Sequence, residues 1–251
     1  MLTIFKHPTV TKLVFKMSFI WFVNALVYYG LTLNAGHLPG TTAGLKMNIN
    51  ENDIVLNVEN HNCLSAPCTI QNNAVMGVLG IPAYIVMYIC SDWKSLGRKG
   101  FMGVGLLIAG FCIICSVVAI RLGGDSCESG QSTKKMYDFM AQIFVYIGKF
   151  CITGTFGVCY IWSAEMFSTD LRPTCIAVCS IVARFGSILA PFIVGFQDIF
   201  PAILGIVFGG FGLAAGVLAF QLPETLGKDL PLTVEDAELR YSTKAKNIRH
   251  G

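Results

Sequence analysis

The run Ile181-Val182-Ala183-Arg184-Phe185-Gly186-Ser187-Ile188-Leu189-Ala190-Pro191-Phe192 lies inside an apolar block from about Cys175 to Phe196. A block of 18 or more apolar residues is long enough to cross a bilayer as a helix. Arg184 falls near its middle, where insertion scales put the cost of an arginine at roughly 2.5–3.5 kcal/mol. A membrane helix keeps such a residue when the charge faces a wet cavity or a partner. Arg184 is therefore a candidate for recognising a charged ligand. Its plainer reading is an arginine satisfied by backbone carbonyls or by a carboxylate elsewhere.

Working outward, the rest of the 251-residue chain has the same character, with 54% hydrophobic and 13% charged residues and a mean hydropathy of +0.62. Soluble domains carry about 25% charged residues, so a soluble fold is excluded. The apolar residues gather in six blocks, roughly 17–34, 74–90, 101–121, 137–162, 175–196 and 201–222. The expectation is an all-α membrane protein with six transmembrane helices over 17–222. A basic segment (1–16) precedes them, a long polar outer loop (35–73) joins the first two, and a charged tail (223–251) follows. Most of the 18 Lys and Arg residues fall in the termini and in the turns after the second and fourth blocks. The positive-inside rule then puts both termini in the cytoplasm, which an even number of spans requires.

Most of the ten cysteines lie inside the apolar blocks, where a thiol acts as a small hydrophobe. Cys63 and Cys68, in the outer loop, are the pair that could bridge on the oxidising side. No four ligands stand at metal spacing, and no nucleophile–base arrangement or phosphate loop is visible. An enzyme is therefore disfavoured, and neither a metal, a cofactor nor a nucleic-acid partner is expected.

Several polar residues are out of place for lipid. The first block holds Asn24, Tyr28, Tyr29 and Thr32, which prefer a protein or water face; helix–helix hydrogen bonding and ligand contact both account for them. Lys149 is a second cation at membrane depth. Pro82 in the second block frees a backbone carbonyl. The following turn, from Ser91 to Gly100, is charged, and Asp92 can pair with Arg98 or Lys99 while Gly97 takes a positive φ. Glu165 and Arg172 stand seven apart and would share a face if the helix ran through both. The last block carries Gly205-x-x-x-Gly209 and Gly212-x-x-x-Gly216, a pattern of tight packing within one bundle or of a dimer seam.

Taken together, these motifs resemble a branch of the major facilitator superfamily, the organic cation, organic anion and carnitine transporters. The resemblance rests on Asn24 through Asn34, Ile81-Pro82-Ala83-Tyr84, Gly148-Lys149-Phe150, Glu165 with Arg172, Ala183-Arg184 through Pro191, and Pro223-Glu224-Thr225-Leu226-Gly227. It covers the chain from Met1 to about Glu238 and matches the second six-helix half of a twelve-helix fold. It implies a multi-pass plasma-membrane solute carrier working by alternating access, its substrate near the midplane between two halves. By the same resemblance Asp92, Gly97, Arg98, Glu165 and Arg172 form an inner-face charge motif that latches the halves. The chain departs from the pattern in four ways. The first half is absent, and the inner turn is two residues longer than usual. The loop 35–73 is also long. Gly80 and Ser168 replace a glutamate and a proline found in many members.

The implied substrate site comprises Arg184, Lys149, Tyr28, Tyr29 and Asn24. Two membrane cations without a membrane carboxylate attract a carboxylate and repel a cation. The resemblance agrees, since anion carriers place a basic residue where Arg184 stands. Both lean toward an anionic or zwitterionic small organic ion. The implied partners are the bilayer and either a missing N-terminal six-helix half or a second copy. Three alternatives stay open: organic cation transport in a full-length context, a half-length protein that transports nothing and acts through a partner, and a homodimer.

Overall fold

The computed structural model describes residues 7–34, 66–94, 96–125, 131–196, 200 and 202–241, and the regular elements among them are helices. The elements are α1 (Pro8–Leu33), α2 (Ala66–Val78), α3 (Gly80–Ser91), α4 (Gly97–Asp125), α5 (Gln131–Met166) and α6 (Arg172–Gly195), then a π-helical turn (Gly205–Gly209) running into α7 (Gly210–Ala219), and a short α8 (Val234–Tyr241). Five spans are long and apolar enough to cross a membrane, with α2 and α3 together forming the second; Gly205–Ala219 is a shorter apolar helix. Among the described residues there are thus five membrane-length helices, where six are expected. The candidate disulfide Cys63–Cys68 lies outside the described residues.

The first span begins at Pro8, well before the apolar block itself, inside the segment read as a cytoplasmic lead. Proline suits the first helical turn because its missing N–H would be unpaired there anyway. No side chain next in sequence caps this end. Instead, the Thr9 and Val10 amides donate to the two carboxylate oxygens of Glu238, 3.2 Å each, from α8 at the far end of the chain. A negative charge at a helix N-terminus satisfies orphan donors and complements the dipole.

A second carboxylate repeats the device. Glu224 accepts the Arg98 and Lys99 amides at the start of α4, at 3.1 and 3.0 Å. Gly97 opens that helix at φ +65°, and a Cβ there would sit 2.4 Å from the Glu224 carboxylate. The Thr169 hydroxyl, in the link between α5 and α6, donates to the Leu232 carbonyl at 2.7 Å. The polar tail from Pro223 to Tyr241 therefore straps the ends of α1, α4 and α5 together.

Within the bundle the most extensive contacts are α4 with α5 and α1 with α6. Cys175, Cys179, Ala183, Gly186, Ala190 and Val194 form the buried stripe of α6. A Cβ on Gly186 would lie 2.5 Å from the Phe22 carbonyl oxygen, so backbone meets backbone there. The π-helical turn and α7 pack on α4 in the same way. A Cβ on Gly110 would meet the Gly209 carbonyl at 2.8 Å, and one on Gly216 the Gly103 carbonyl at 3.1 Å. Of the two uses of that glycine pattern, the structure shows tight packing inside the bundle. Trp21, Trp162, Phe167, Phe208 and Met17 fill the centre.

Candidate functional site

Four of the five candidate substrate residues cluster on α1 and α5. Trp21, Asn24 and Tyr28 are spaced i, i+3, i+7 and so share one face of α1, with Tyr29 beside it. On α5, Lys149, Phe156 and Tyr160 repeat that logic at i, i+7, i+11. The two faces meet in a chain of rings. Trp21 and Tyr160 lie edge to face at 4.4 Å between centroids, followed by Tyr160–Phe156 at 5.9 Å, Phe156–Tyr28 at 5.5 Å and Tyr28–Tyr29 at 5.4 Å. Tyr84 of α3 joins from the side, 3.2 Å from where a Cβ of Gly157 would be. Tyr29, Tyr84 and Tyr160 remain exposed. Phe156, Tyr160 and Tyr84 were missed as candidates, although the helical spacing of the first two from Lys149 carried the signal.

Asn24 is completely buried. Its amide nitrogen donates to the Ile20 carbonyl at 3.3 Å and to the Cys159 sulfur at 3.3 Å, and its oxygen accepts the Thr155 hydroxyl at 2.8 Å. Both ends of the side chain are committed to tying α1 to α5. Of the two readings left open for the first block's polar residues, Asn24 follows helix–helix bonding. Nearby, the Trp21 indole donates to the Ser163 hydroxyl at 2.9 Å.

Lys149 is also buried, at 3% exposure. Its ammonium donates to the Thr32 hydroxyl at 2.6 Å and the Tyr28 carbonyl at 3.0 Å, and it lies over the Tyr28 ring, 3.2 Å from the centroid. Tyr28 and Thr32 occupy the last turns of α1, where unpaired carbonyls and the negative end of the dipole favour a cation. Among the described residues no carboxylate faces Lys149, and its charge is met by a carbonyl, a hydroxyl and a π-face.

Arg184 stands apart. It is exposed on α6, flanked on the same side by exposed Ile181, Phe185 and Ile188. Among the described residues its guanidinium has no hydrogen-bond or ion-pair partner, while its backbone carbonyl accepts the Ser187 hydroxyl at 2.9 Å. The exposed side is opposite the stripe that α6 buries against α1, so this charge points away from the described bundle.

The charge motif at the other end of the helices is assembled differently from its sequence spacing. Arg98 donates to Asp92, to the Ser91 carbonyl at 2.7 Å and to Glu165 at 3.1 Å. Glu165 also accepts the Thr225 hydroxyl at 2.6 Å. Asp92, Gly97, Arg98 and Glu165 therefore come together with Glu224. Arg172 does not pair with Glu165. The helix stops at Met166 and restarts at Arg172, which breaks the register that would have put both on one face, and Arg98 occupies the carboxylate instead. The Nε and one Nη of Arg172 are buried without a partner among the described residues.

A family model described as "Sugar (and other) transporter" matches residues 59–236. Among curated proteins, the chain is similar to Solute carrier family 22 member 15 of Xenopus tropicalis, 32% identical over 94% of this chain and 38% of that protein. It is similar to the Organic cation transporter protein of Drosophila melanogaster, 29% identical over 93% of this chain and 35% of that protein. Solute carrier family 22 member 6 of Danio rerio is 26% identical over 99% of this chain and 37% of its own length. The chain thus spans well under half the length of the curated relatives it matches.

Proposed function

The chain belongs to the sugar (and other) transporter family, a family of transporters rather than enzymes, and from that premise we propose that it is one six-helix half of a carrier for small organic ions. The substrates we assign are anionic or zwitterionic. The observation that carries this reading is the contrast between the two membrane cations. Lys149 spends its charge inside the bundle on Tyr28 and Thr32, whereas the guanidinium of Arg184 is exposed beside apolar side chains with no described partner.

An exposed guanidinium in an apolar setting is a bidentate site for a carboxylate. The ring chain from Trp21 to Tyr29 offers flat apolar faces to the body of an organic ion. The carrier works across the plasma membrane with both chain ends in the cytoplasm. Its second half is a further six-helix bundle or a second copy. The Asp92–Arg98–Glu165–Glu224 cluster holds the cytoplasmic ends together in one access state and parts in the other.

Organic cation transport is the second reading. The exposed phenol rings of Tyr29, Tyr84 and Tyr160 favour it, since an aromatic face attracts a cation. The two readings separate in an uptake assay on the protein expressed in cells from its complete transcript, with labelled anions, zwitterions and cations. Arg184→Asp lowers uptake of anions and zwitterions at least tenfold and spares or raises that of cations. Uptake unchanged across the whole panel would remove Arg184 from the site.

A further inference from the structure

The side of α6 turned away from α1 carries more than a charge. Arg184, Ser187, Ile188 and Pro191 stand there at i, i+3, i+4 and i+7, one above another on a single face. Pro191 lies inside the helix. Having no N–H, it gives no hydrogen bond to the Ser187 carbonyl four residues back, and a ring in that place crowds the carbonyl off the helix axis. Pro191 is itself exposed, so the carbonyl it relieves lies on the same side as the Arg184 guanidinium.

The Ser187 side chain reinforces this. A carbonyl freed by proline in a membrane helix is commonly satisfied by a nearby hydroxyl or by a neighbouring helix. The Ser187 hydroxyl turns the other way and donates to the Arg184 carbonyl at 2.9 Å. A hydroxyl has one proton and two lone pairs, so with that proton committed both Ser187 oxygens are acceptors only. The guanidinium, by contrast, only donates, and helical side chains lean toward the N-terminus, which carries it away from Ser187. A cationic donor and a pair of acceptors thus stand about one helical turn apart, roughly 5 Å along the axis. Exposed Phe185, Ile188 and Phe192 make the surround apolar, where an acceptor left without a donor is costly.

We propose that this face of α6 reads two groups of the organic ion, its carboxylate at Arg184 and an N–H donor at the two Ser187 oxygens. The proposal rests on the reading of Arg184 as the carboxylate anchor and narrows the ion to one whose nitrogen bears a proton. A quaternary ammonium keeps the charge and has no proton to give, so it forfeits the bond. Ser187 is then the specificity-determining residue, and Pro191 a positioning residue that acts by keeping the carbonyl free.

Uptake by the protein expressed in cells from its complete transcript tests this with three labelled carboxylates: 4-aminobutanoate, 4-(trimethylammonio)butanoate and pentanoate. The first two carry the same charges and differ in the N–H. Wild-type kcat/KM favours 4-aminobutanoate over its trimethyl form about tenfold, the effect of one hydrogen bond to a charged group. Pro191→Ala supplies the helical donor to the Ser187 carbonyl and brings that ratio close to one, with uptake of the trimethyl form unchanged. Ser187→Ala leaves the helical bonding intact and lowers the ratio about threefold, and it decides by itself should the Pro191 variant not reach the membrane. The bulk of the trimethyl head is common to every variant, so the change in the ratio reports the bond. Equal uptake of the two forms by the wild type, or a ratio that either variant leaves at its wild-type value, overturns the proposal while Arg184→Asp still lowers pentanoate uptake. Pentanoate uptake untouched by Arg184→Asp, or none of the three carried by the wild type, removes the reading of Arg184 itself.

Discussion

Arg98 is the residue whose removal most directly tests the charge cluster at the start of α4. Arg98→Met keeps much of the side chain's apolar bulk and deletes its guanidinium. The bond to Asp92 is worth little, about 0–1 kcal/mol, because Asp92 is 54% exposed. The bond to Glu165 is more sheltered, the two side chains being 12% and 25% exposed, and a hydrogen bond to a charged group of that kind contributes about 1.5–3 kcal/mol. The Ser91 carbonyl loses its donor as well. One term runs the other way, since Nε of Arg98 is buried without a described partner and its loss relieves a cost. The net is a destabilisation of about 2–3 kcal/mol, a fall in Tm of roughly 5–10 °C for a chain of this size. Heating in detergent with a thiol-reactive dye reads it, because Cys159, Cys175 and Cys179 are buried free thiols exposed on unfolding. Adding Glu165→Met removes the carboxylate stranded by the first change and recovers part of the loss, with a coupling of about 1–2 kcal/mol. A single variant melting within about 2 °C of wild type, or two losses that simply add, would refute the pairing.

Two further perturbations act on the ends of the helices. Hydrogen bonds from Thr9 and Val10 and the nearby His7 outweigh desolvation, which acts upward, and hold the Glu238 carboxyl below the usual glutamate range. A depressed folded pKa gives stabilisation that is present above the unfolded value, about 4.3, and fades as pH falls through the folded one. Amide exchange of residues 234–241, read at each pH from 3 to 6 and corrected for the intrinsic rate, should show the tail loosening only at the acid end, and Glu238→Gln should be loose throughout. Gly97→Ala places a Cβ 2.4 Å from Glu224 on a residue at φ +65°, which costs about 1–2 kcal/mol for the backbone alone, whereas Gly77→Ala, in open space, should leave the melting temperature unchanged or higher; equal effects of the two would contradict the geometry of the turn.

Much of the membrane architecture was legible because hydrophobic length is a local quantity. Blocks such as 101–121 and 175–196 are long enough to span, and the helices found there extend them by a few residues of polar end. The start of α1 was not legible. Pro8 to Lys16 reads as a basic lead, and becomes helix because Glu238, 229 residues away from Thr9, supplies its cap. The Glu165–Arg172 pairing failed for a related reason. Spacing predicts a shared face only while one helix continues, and the turn between the fourth and fifth blocks ends the helix at Met166, leaving Glu165 to Arg98.

By itself the sequence determined that this chain lives in a membrane, that Arg184 and Lys149 are charges the bilayer does not tolerate freely, and which family it resembles. Only the tertiary structure decided what those charges do. Lys149 is absorbed because the end of α1 presents the Tyr28 carbonyl, the Thr32 hydroxyl and a phenol ring to it, and Arg184 is left exposed because α6 turns its small-residue stripe to α1 and its opposite side away. Hydrophobicity sums along the chain and can be read from it; the partner of a charge is chosen by whatever the fold brings within about 3 Å, and that distance is set by residues more than a hundred positions apart.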